Sequence, residues 1–328
     1  MNYRTLGKTG FKISEISLGT WQLGGRWGSE FDADTAEKTL KKAADLGVNF
    51  FDTADVYNNG LSEKAIGKFL KSANDRIFVA TKSGRRLNPH HAEGYNRENI
   101  RNFVHDSLKN MDLETLDLIQ LHCPPTEVYR KQEVYDSLDE LKKEGKILHY
   151  GVSVEKVEEA LIAMKHQGVS SVQIIFNMFR QKPSEEFFKE AKARNVGVIV
   201  RVPLASGLLT GKLNLDSTFA KDDHRFFNRN GEHFDKGETF SGVNFELGIR
   251  AAEELKSVFG ETGKLAQYAL RWILMFDEVS CIIPGASNPF QIEDNVLASG
   301  FSSLSDQQMD QVKRIYENYI KEDVHHLW

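Results

Sequence analysis

Residues 118–122 read Leu118-Ile119-Gln120-Leu121-His122, and two other runs share that pattern: Asn49-Phe50-Phe51-Asp52 and Ile77-Phe78-Val79-Ala80-Thr81-Lys82. Each is mostly apolar, of strand length, and ends in a residue that can carry charge or a proton. Near-continuous apolar runs suit strands buried on both faces of a parallel sheet. A charge that ends such a strand must be paired or put to use. In a β/α barrel the carboxyl ends of all strands face one mouth, which would gather Asp52, Lys82 and His122 there, with Tyr57 five residues beyond Asp52.

Working outward, strand-like runs fall near residues 16–21, 49–53, 77–81, 116–122, 149–152, 172–177, 198–202 and 279–283. Amphipathic segments with apolar positions three and four apart lie between them, at 34–46, 62–70, 97–111 and 155–165 among others. Strand–helix alternation implies a parallel sheet, because each crossover returns the chain through a helix. An open doubly wound sheet is the competing architecture, but its first turn is usually a Gly-rich phosphate loop, and here that turn reads Leu18-Gly19-Thr20-Trp21. The expectation is an α/β protein of one domain over residues 1–328, a (β/α)8 TIM barrel with an N-terminal β-hairpin and a C-terminal helical extension. The hairpin is read from Tyr3-Arg4-Thr5-Leu6 and Phe11-Lys12-Ile13 around Gly7-Lys8-Thr9-Gly10, placed to close the amino-terminal end of the barrel. Residues 213–240 lengthen the seventh strand-to-helix connection far beyond the usual few residues, which marks a lid or binding loop.

Composition narrows the class. Of 328 residues, 40% are hydrophobic and 27% charged, the balance of a soluble globular chain with ample core. A net charge of -5 gives no reason to expect nucleic acid or an anionic membrane as partner. Neither a membrane-spanning run nor a secretory leader is visible, so a cytoplasmic protein is expected. Cys123 and Cys281 are far apart and match no zinc spacing; both read as buried thiols, and no metal is expected. The aromatic tail Val324-His325-His326-Leu327-Trp328 is expected to dock, over its own active site or on another subunit of a homo-oligomer.

The set Asp52, Tyr57, Lys82 and His122 has a chemical use. Adding a hydride to a carbonyl leaves an alkoxide, so a proton must reach the oxygen as charge develops. A phenol can supply it if a nearby cation favours the phenolate. Lys82 is the candidate cation, Asp52 would hold its ammonium, and neutral His122 could donate a hydrogen bond to the carbonyl.

With those residues stand Phe51-Asp52-Thr53-Ala54-Asp55-Val56-Tyr57, Thr81-Lys82-Ser83-Gly84, Gly151-Val152-Ser153, Gly207-Leu208-Leu209-Thr210-Gly211-Lys212 and Ile283-Pro284-Gly285-Ala286-Ser287. Together and in this order they resemble the aldo-keto reductase superfamily, over almost the whole chain. The resemblance implies an NAD(P)H-dependent oxidoreductase that reduces aldehydes or ketones, or oxidises the corresponding alcohols or sugars, with catalytic Asp52, Tyr57, Lys82 and His122. It implies cofactor contacts from Gly19, Thr20 and Trp21, and nicotinamide contacts from Ser153 and Gln173, with Val154 standing where an Asn is usual. Arg201 replaces the aromatic that normally stacks on the ring; it could cover the ring, bind an anionic substrate group, or pair with an acid. Leu204, Ser206, Gly207, Lys212, Gly285, Ser287, Gln291 and Asn295 are implied phosphate and adenosine contacts, with Asn288 beside them. Ser287 and Gln291 occupy positions that often carry Arg or Lys for the 2′-phosphate, so NADP(H) is preferred by the family's habit and NAD(H) is possible.

Trp21, Trp27 and Tyr57 are expected to line the substrate pocket, with His90, His91 and Arg225 at its rim. Both simple carbonyls and small sugars fit. Two other classes stay open: a Schiff-base lyase or aldolase using Lys82, and a cofactor-sensing binding protein that turns over slowly.

Overall fold

The computed structural model describes residues 1–25, 30–260 and 263–328. Trp27, expected in the pocket, lies outside the described residues. A hairpin of β1 (Tyr3–Thr5) and β2 (Lys12–Ser14) precedes an eight-stranded sheet. The sheet comprises β3 (Leu18–Gly19), β4 (Phe50–Asp52), β5 (Phe78–Ser83), β6 (Leu116–His122), β7 (Ile147–Ser153), β8 (Val169–Ile175), β9 (Gly197–Arg201) and β10 (Val279–Ile282).

Each sheet strand pairs in parallel with its neighbour in sequence, with no switch point of the kind a doubly wound sheet has. The two edges meet through parallel bridges, Ile16 with Ile282 and Gly19 with Gly285, which curl the sheet into the expected barrel. All eight expected strands are present. The first is shorter than its apolar run, because Thr20 turns inward and both its N–H and its Oγ1 donate to the Asp52 carbonyl.

The crossovers between β3 and β9 are helices α1 (Ala33–Asp45), α2 (Leu61–Leu70), α3 (Arg97–Met111), α4 (Gln132–Lys143), α5 (Val157–Ala163) and α6 (Phe187–Ala193). Asp32 and Asn96 cap α1 and α3 by accepting from backbone N–H groups of the first turns. After β9 the chain makes the long excursion read from sequence, containing the short α7 (His224–Phe227), before α8 (Phe245–Phe259) and α9 (Leu265–Leu274) lead to β10. The chain finishes with α10 (Pro289–Val296), α11 (Asp306–Tyr319) and α12 (Lys321–Val324).

Inside the barrel, Leu6 and Ile13 of the hairpin pack against Phe50, Ala80, Leu118, Ile199 and Cys281. The bottom is therefore stoppered by hydrocarbon, and polar side chains gather at the other end. Among the described residues no helix is long and apolar enough to cross a membrane.

Candidate active site

Asp52 ends β4, Lys82 lies near the end of β5, His122 ends β6, and Tyr57 opens a single 3-10 turn after β4. The next three residues, Asn58, Asn59 and Gly60, all take positive φ (47°, 53° and 84°). Asn tolerates that region through local hydrogen bonding and Gly lacks the Cβ that forbids it. This reversal returns the chain to α2 directly after the phenol.

The four side chains converge. The Lys82 ammonium donates to Asp52 Oδ1, to the Thr53 carbonyl at 2.9 Å and to Tyr57 Oη at 3.3 Å. Asp52 Oδ2 accepts from Gln173 Nε2 at 2.8 Å and Gln120 Nε2 at 3.3 Å. Asp52 and Lys82 are each only 1% exposed, so neither charge could persist without the other. The His122 ring meets the Tyr57 ring edge-on at 6.0 Å.

Electrostatics assigns protonation states. Burial alone would strip the Lys82 proton, but Asp52 and Tyr57 outweigh it and hold the ammonium above the ordinary lysine range. Burial, followed by the Arg85, Lys82 and Arg201 charges, holds His122 well below the usual histidine range, so its ring is neutral. For Tyr57 the expectation of a net acidified phenol is corrected. Lys82 does pull downward, but burial is the larger effect, Asp52 adds to it, and the hydroxyl is raised. At neutral pH the hydroxyl is protonated.

Beside this set runs a cavity of about 760 Å3, from Asp52, Tyr57 and His122 at the inner end to Lys212, Lys264 and Asn295 at the outer. It lies at the carboxyl ends of the strands, where barrel enzymes carry their sites. The sequence profile of the Aldo/keto reductase family matches residues 15–317.

The chain belongs to that family.

It is similar to the aldo-keto reductase YhdN of Bacillus subtilis, 30% identical over 331 residues that cover 99% of this chain and 96% of that one. Among solved structures it resembles the aldo-keto reductase AKR11C1 of Bacillus halodurans in its holo form (TM-score 0.77, 26% identity, 96% of each chain). It also resembles the glycerol dehydrogenase AKR11B4 of Gluconobacter oxydans (TM-score 0.78, 29% identity, 97% of this chain and 96% of that one).

In this aldo-keto reductase most of the residues expected around the cofactor face the cavity. Gly19, Thr20 and Trp21 line one wall; Gln173, Arg201, Leu204, Ser206, Gly207 and Lys212 line another; Gly285, Gln291 and Asn295 close the outer end. Ser153 and Ser287 do not line it. Ser153 is buried with its Oγ accepting from Cys123 Sγ at 3.4 Å, and Ser287 is tied to Gln291 Oε1 through its N–H at 2.7 Å. Trp21 and Arg225 reach the substrate side, whereas His90 hydrogen-bonds Tyr95 and neither it nor His91 lines the cavity.

Arg201 takes the third of its expected roles. Its Nη2 lies 2.8 Å from Glu155 Oε2 and donates to the Val154 carbonyl at 3.0 Å, and its Nη1 is 3.7 Å from Glu238. Arg85 completes a half-buried quartet, pairing with Glu238 and, at 3.4 Å, with Glu155. Burial, opposed by Arg201 and reinforced by Glu238, pushes Glu155 up to about 8. Arg85 and Arg201 outweigh burial at Glu238 and hold it well below the carboxylate range. The sequence reading missed Arg85, Glu155 and Glu238, which share no local motif and meet only in the folded barrel. It also missed Lys264 and Gln267 at the start of α9, which line the outer end.

Proposed function

We propose that this family member reduces aldehyde or ketone carbonyls, or oxidises the matching alcohols and small sugars, with a nicotinamide dinucleotide as redox partner. One observation carries the reading: the Tyr57 hydroxyl stands 3.3 Å from a buried, charged Lys82 at the inner end of the cavity. The residues along the cavity fit the cofactor by their chemistry. Its outer end offers Gly207, Gly285 and the Lys212 ammonium, with the Lys264 ammonium beside it paired to Asp294, a set suited to phosphate oxygens. Gln173 spends its N–H on Asp52 and keeps its amide oxygen to accept from a carboxamide. A bound reduced nicotinamide would supply the hydride.

The protein's own groups then divide the remaining work. Tyr57 passes its proton to the carbonyl oxygen. Lys82 stabilises the phenolate left behind, and Asp52, clamped by two glutamines, keeps the ammonium in place. Neutral His122 orients the carbonyl without competing for the proton. NADP(H) is the proposed partner, supported by Lys212 and Lys264, with NAD(H) accepted because Gln291 and Ser287 offer no fixed cation. A cytoplasmic setting suits the two buried free thiols. A Schiff-base role for Lys82 is disfavoured, since its nitrogen is protonated and fully engaged.

The test follows nicotinamide absorbance with aldehydes, ketones and sugars, NADPH and NADH in parallel, for wild type and Tyr57→Phe. Tyr57→Phe should lower turnover by about 10²–10⁴-fold, the usual worth of a positioned general acid, with cofactor affinity unchanged. Turnover that survives in Tyr57→Phe, or substrate trapped on Lys82 by borohydride, would remove the proposal.

A further inference from the structure

Trp328, the last residue of the sequence, is only 6% exposed, and its ring sits in a made-to-measure slot. The Arg180 guanidinium covers it at 4.0 Å, and its Nε1 donates to Asp235 Oδ1 at 3.2 Å. Two glycines give the ring room. A Cβ on Gly242 would lie 2.0 Å from the indole, so that position admits no side chain while the ring is in place; one on Gly237 would lie 2.1 Å from Arg180 Nη1, the group that covers the ring, and 3.1 Å from the indole itself. Phe240, Ser241 and Gly242 all have positive φ (55°, 57° and 76°), an unfavourable run for the first two that needs outside support. Part of the support is internal: Ser206 Oγ donates to the Glu238 carbonyl at 3.1 Å and accepts from the Phe240 N–H at 3.0 Å. Trp328 supplies the other side.

Between the two anchor points, Asp235 and Gly242, stands Glu238, whose carboxylate reaches Arg85 and Arg201 on the cavity wall. Arg180, under the indole, also donates to the Glu155 backbone carbonyl, so the slot is tied to the segment that carries the quartet's other acid. The tail that carries Trp328 is itself pinned, with Val324 fully buried and His325 bonded to Tyr316 Oη at 2.8 Å and to Glu185 at 3.2 Å.

We infer that Trp328 is a positioning residue: it clamps residues 235–242 so that Glu238 meets Arg85 and Arg201, and thereby sets the part of the cavity wall those three residues form. The inference rests on the reading of that cavity as the catalytic site. Trp328 touches no reacting group and acts through Asp235 and Glu238. Losing the clamp frees the wall, which weakens substrate binding more than it slows the chemistry inside.

The test uses the full chain as wild type, Trp328→Ala, Trp328→Phe, Glu238→Gln and the Trp328→Ala/Glu238→Gln double variant. Two readouts are taken: tryptic cleavage within residues 213–240, which contain Lys221, Arg225, Arg229 and Lys236, and KM and kcat separately for NADPH-dependent reduction of glyceraldehyde. Trp328→Ala should speed cleavage and raise KM by about tenfold each, with kcat within about threefold, the pattern of lost binding that ground and transition states share. Trp328→Phe keeps a ring over Arg180 without the Nε1–H, and should recover most of the wild-type behaviour. The double variant should have a KM no higher than the worse single variant, because both changes break one chain of contacts. A protected loop with unchanged KM in Trp328→Ala, or additive KM effects in the double variant, would overturn the assignment. If Trp328→Ala does not fold, Trp328→Leu decides, since it loses both the ring over Arg180 and the Nε1–H, and a loop as resistant and a KM as low as wild type would overturn the assignment. If wild type turns over no member of the aldehyde, ketone and sugar panel with NADPH or NADH, the catalytic reading is what fails, and cleavage alone decides whether Trp328 clamps the loop; if it turns over another member, that substrate replaces glyceraldehyde.

Discussion

Tyr57 is half-exposed to the cavity yet carries a hydroxyl whose proton is held more tightly than in free tyrosine, because burial outweighs the pull of Lys82. That direction predicts an asymmetry between the two senses of the reaction. Carbonyl reduction needs the phenol, which is protonated throughout pH 6 to 9, and its kcat/KM should be flat there. Alcohol oxidation needs the phenolate, so its kcat/KM should climb by about tenfold per pH unit over the same range. Initial rates in both directions across that range check it, and a bell centred near pH 7 would argue for a different acid. Asp52, Lys82 and His122 were legible in sequence because each ends a buried strand, where a polar residue is costly unless used. Arg201 was only half legible. Its position was visible, but its partners Glu155 and Glu238 lie on other connections, and no spacing rule links residues 46 and 37 positions away.

The hairpin shows how a small element serves a site it never touches. Leu6 and Ile13 are fully buried against the inward faces of the strands, and the polar end of the barrel can hold its charges because the opposite end is filled with hydrocarbon. Leu6→Ala should cost about 2–5 kcal/mol of stability, the usual range for a buried Leu truncation. Its kcat and KM at 25 °C should stay within about twofold, since the plug lies at the far end of the strands from the cavity. Denaturant melts together with steady-state kinetics separate the two effects. The alternating strands and helices were readable from periodicity alone, and α3 runs over the same residues as its apolar spacing. The excursion after β9 was readable only as long. Its course depends on Ser206 near its own start and on Asn177 and Trp328, which reach it from distant parts of the chain.

At the scale of the whole molecule, stability against pH turns on acids that the fold buries. Asp55 is 1% exposed, no side chain among the described residues hydrogen-bonds its carboxylate, and burial, followed by the charge of Glu63, pushes it up to about 7. A carboxyl raised in the folded state from an ordinary value of 3.8 binds its proton more tightly there than in the unfolded chain. Its contribution to stability is therefore complete below about pH 4 and is lost as pH rises through 7. Between pH 5 and 8 the wild type should lose about 2–3 kcal/mol through this one group, and Asp55→Asn should remove that slope. Urea melts at the two pH values measure it; an equal slope in both proteins would place the proton elsewhere. The barrel seam has a different consequence. Its closing contacts join Gly19, near the start of the chain, to Pro284 and Gly285, near its end. During synthesis the inner strands can pair with their neighbours as they emerge, but the outer edge of β3 must stay open until those late residues leave the ribosome. The longest-range contact in the sheet is thus also the last that can form, which leaves the β3 edge exposed to edge-to-edge aggregation while the more than 250 residues between its partners are made.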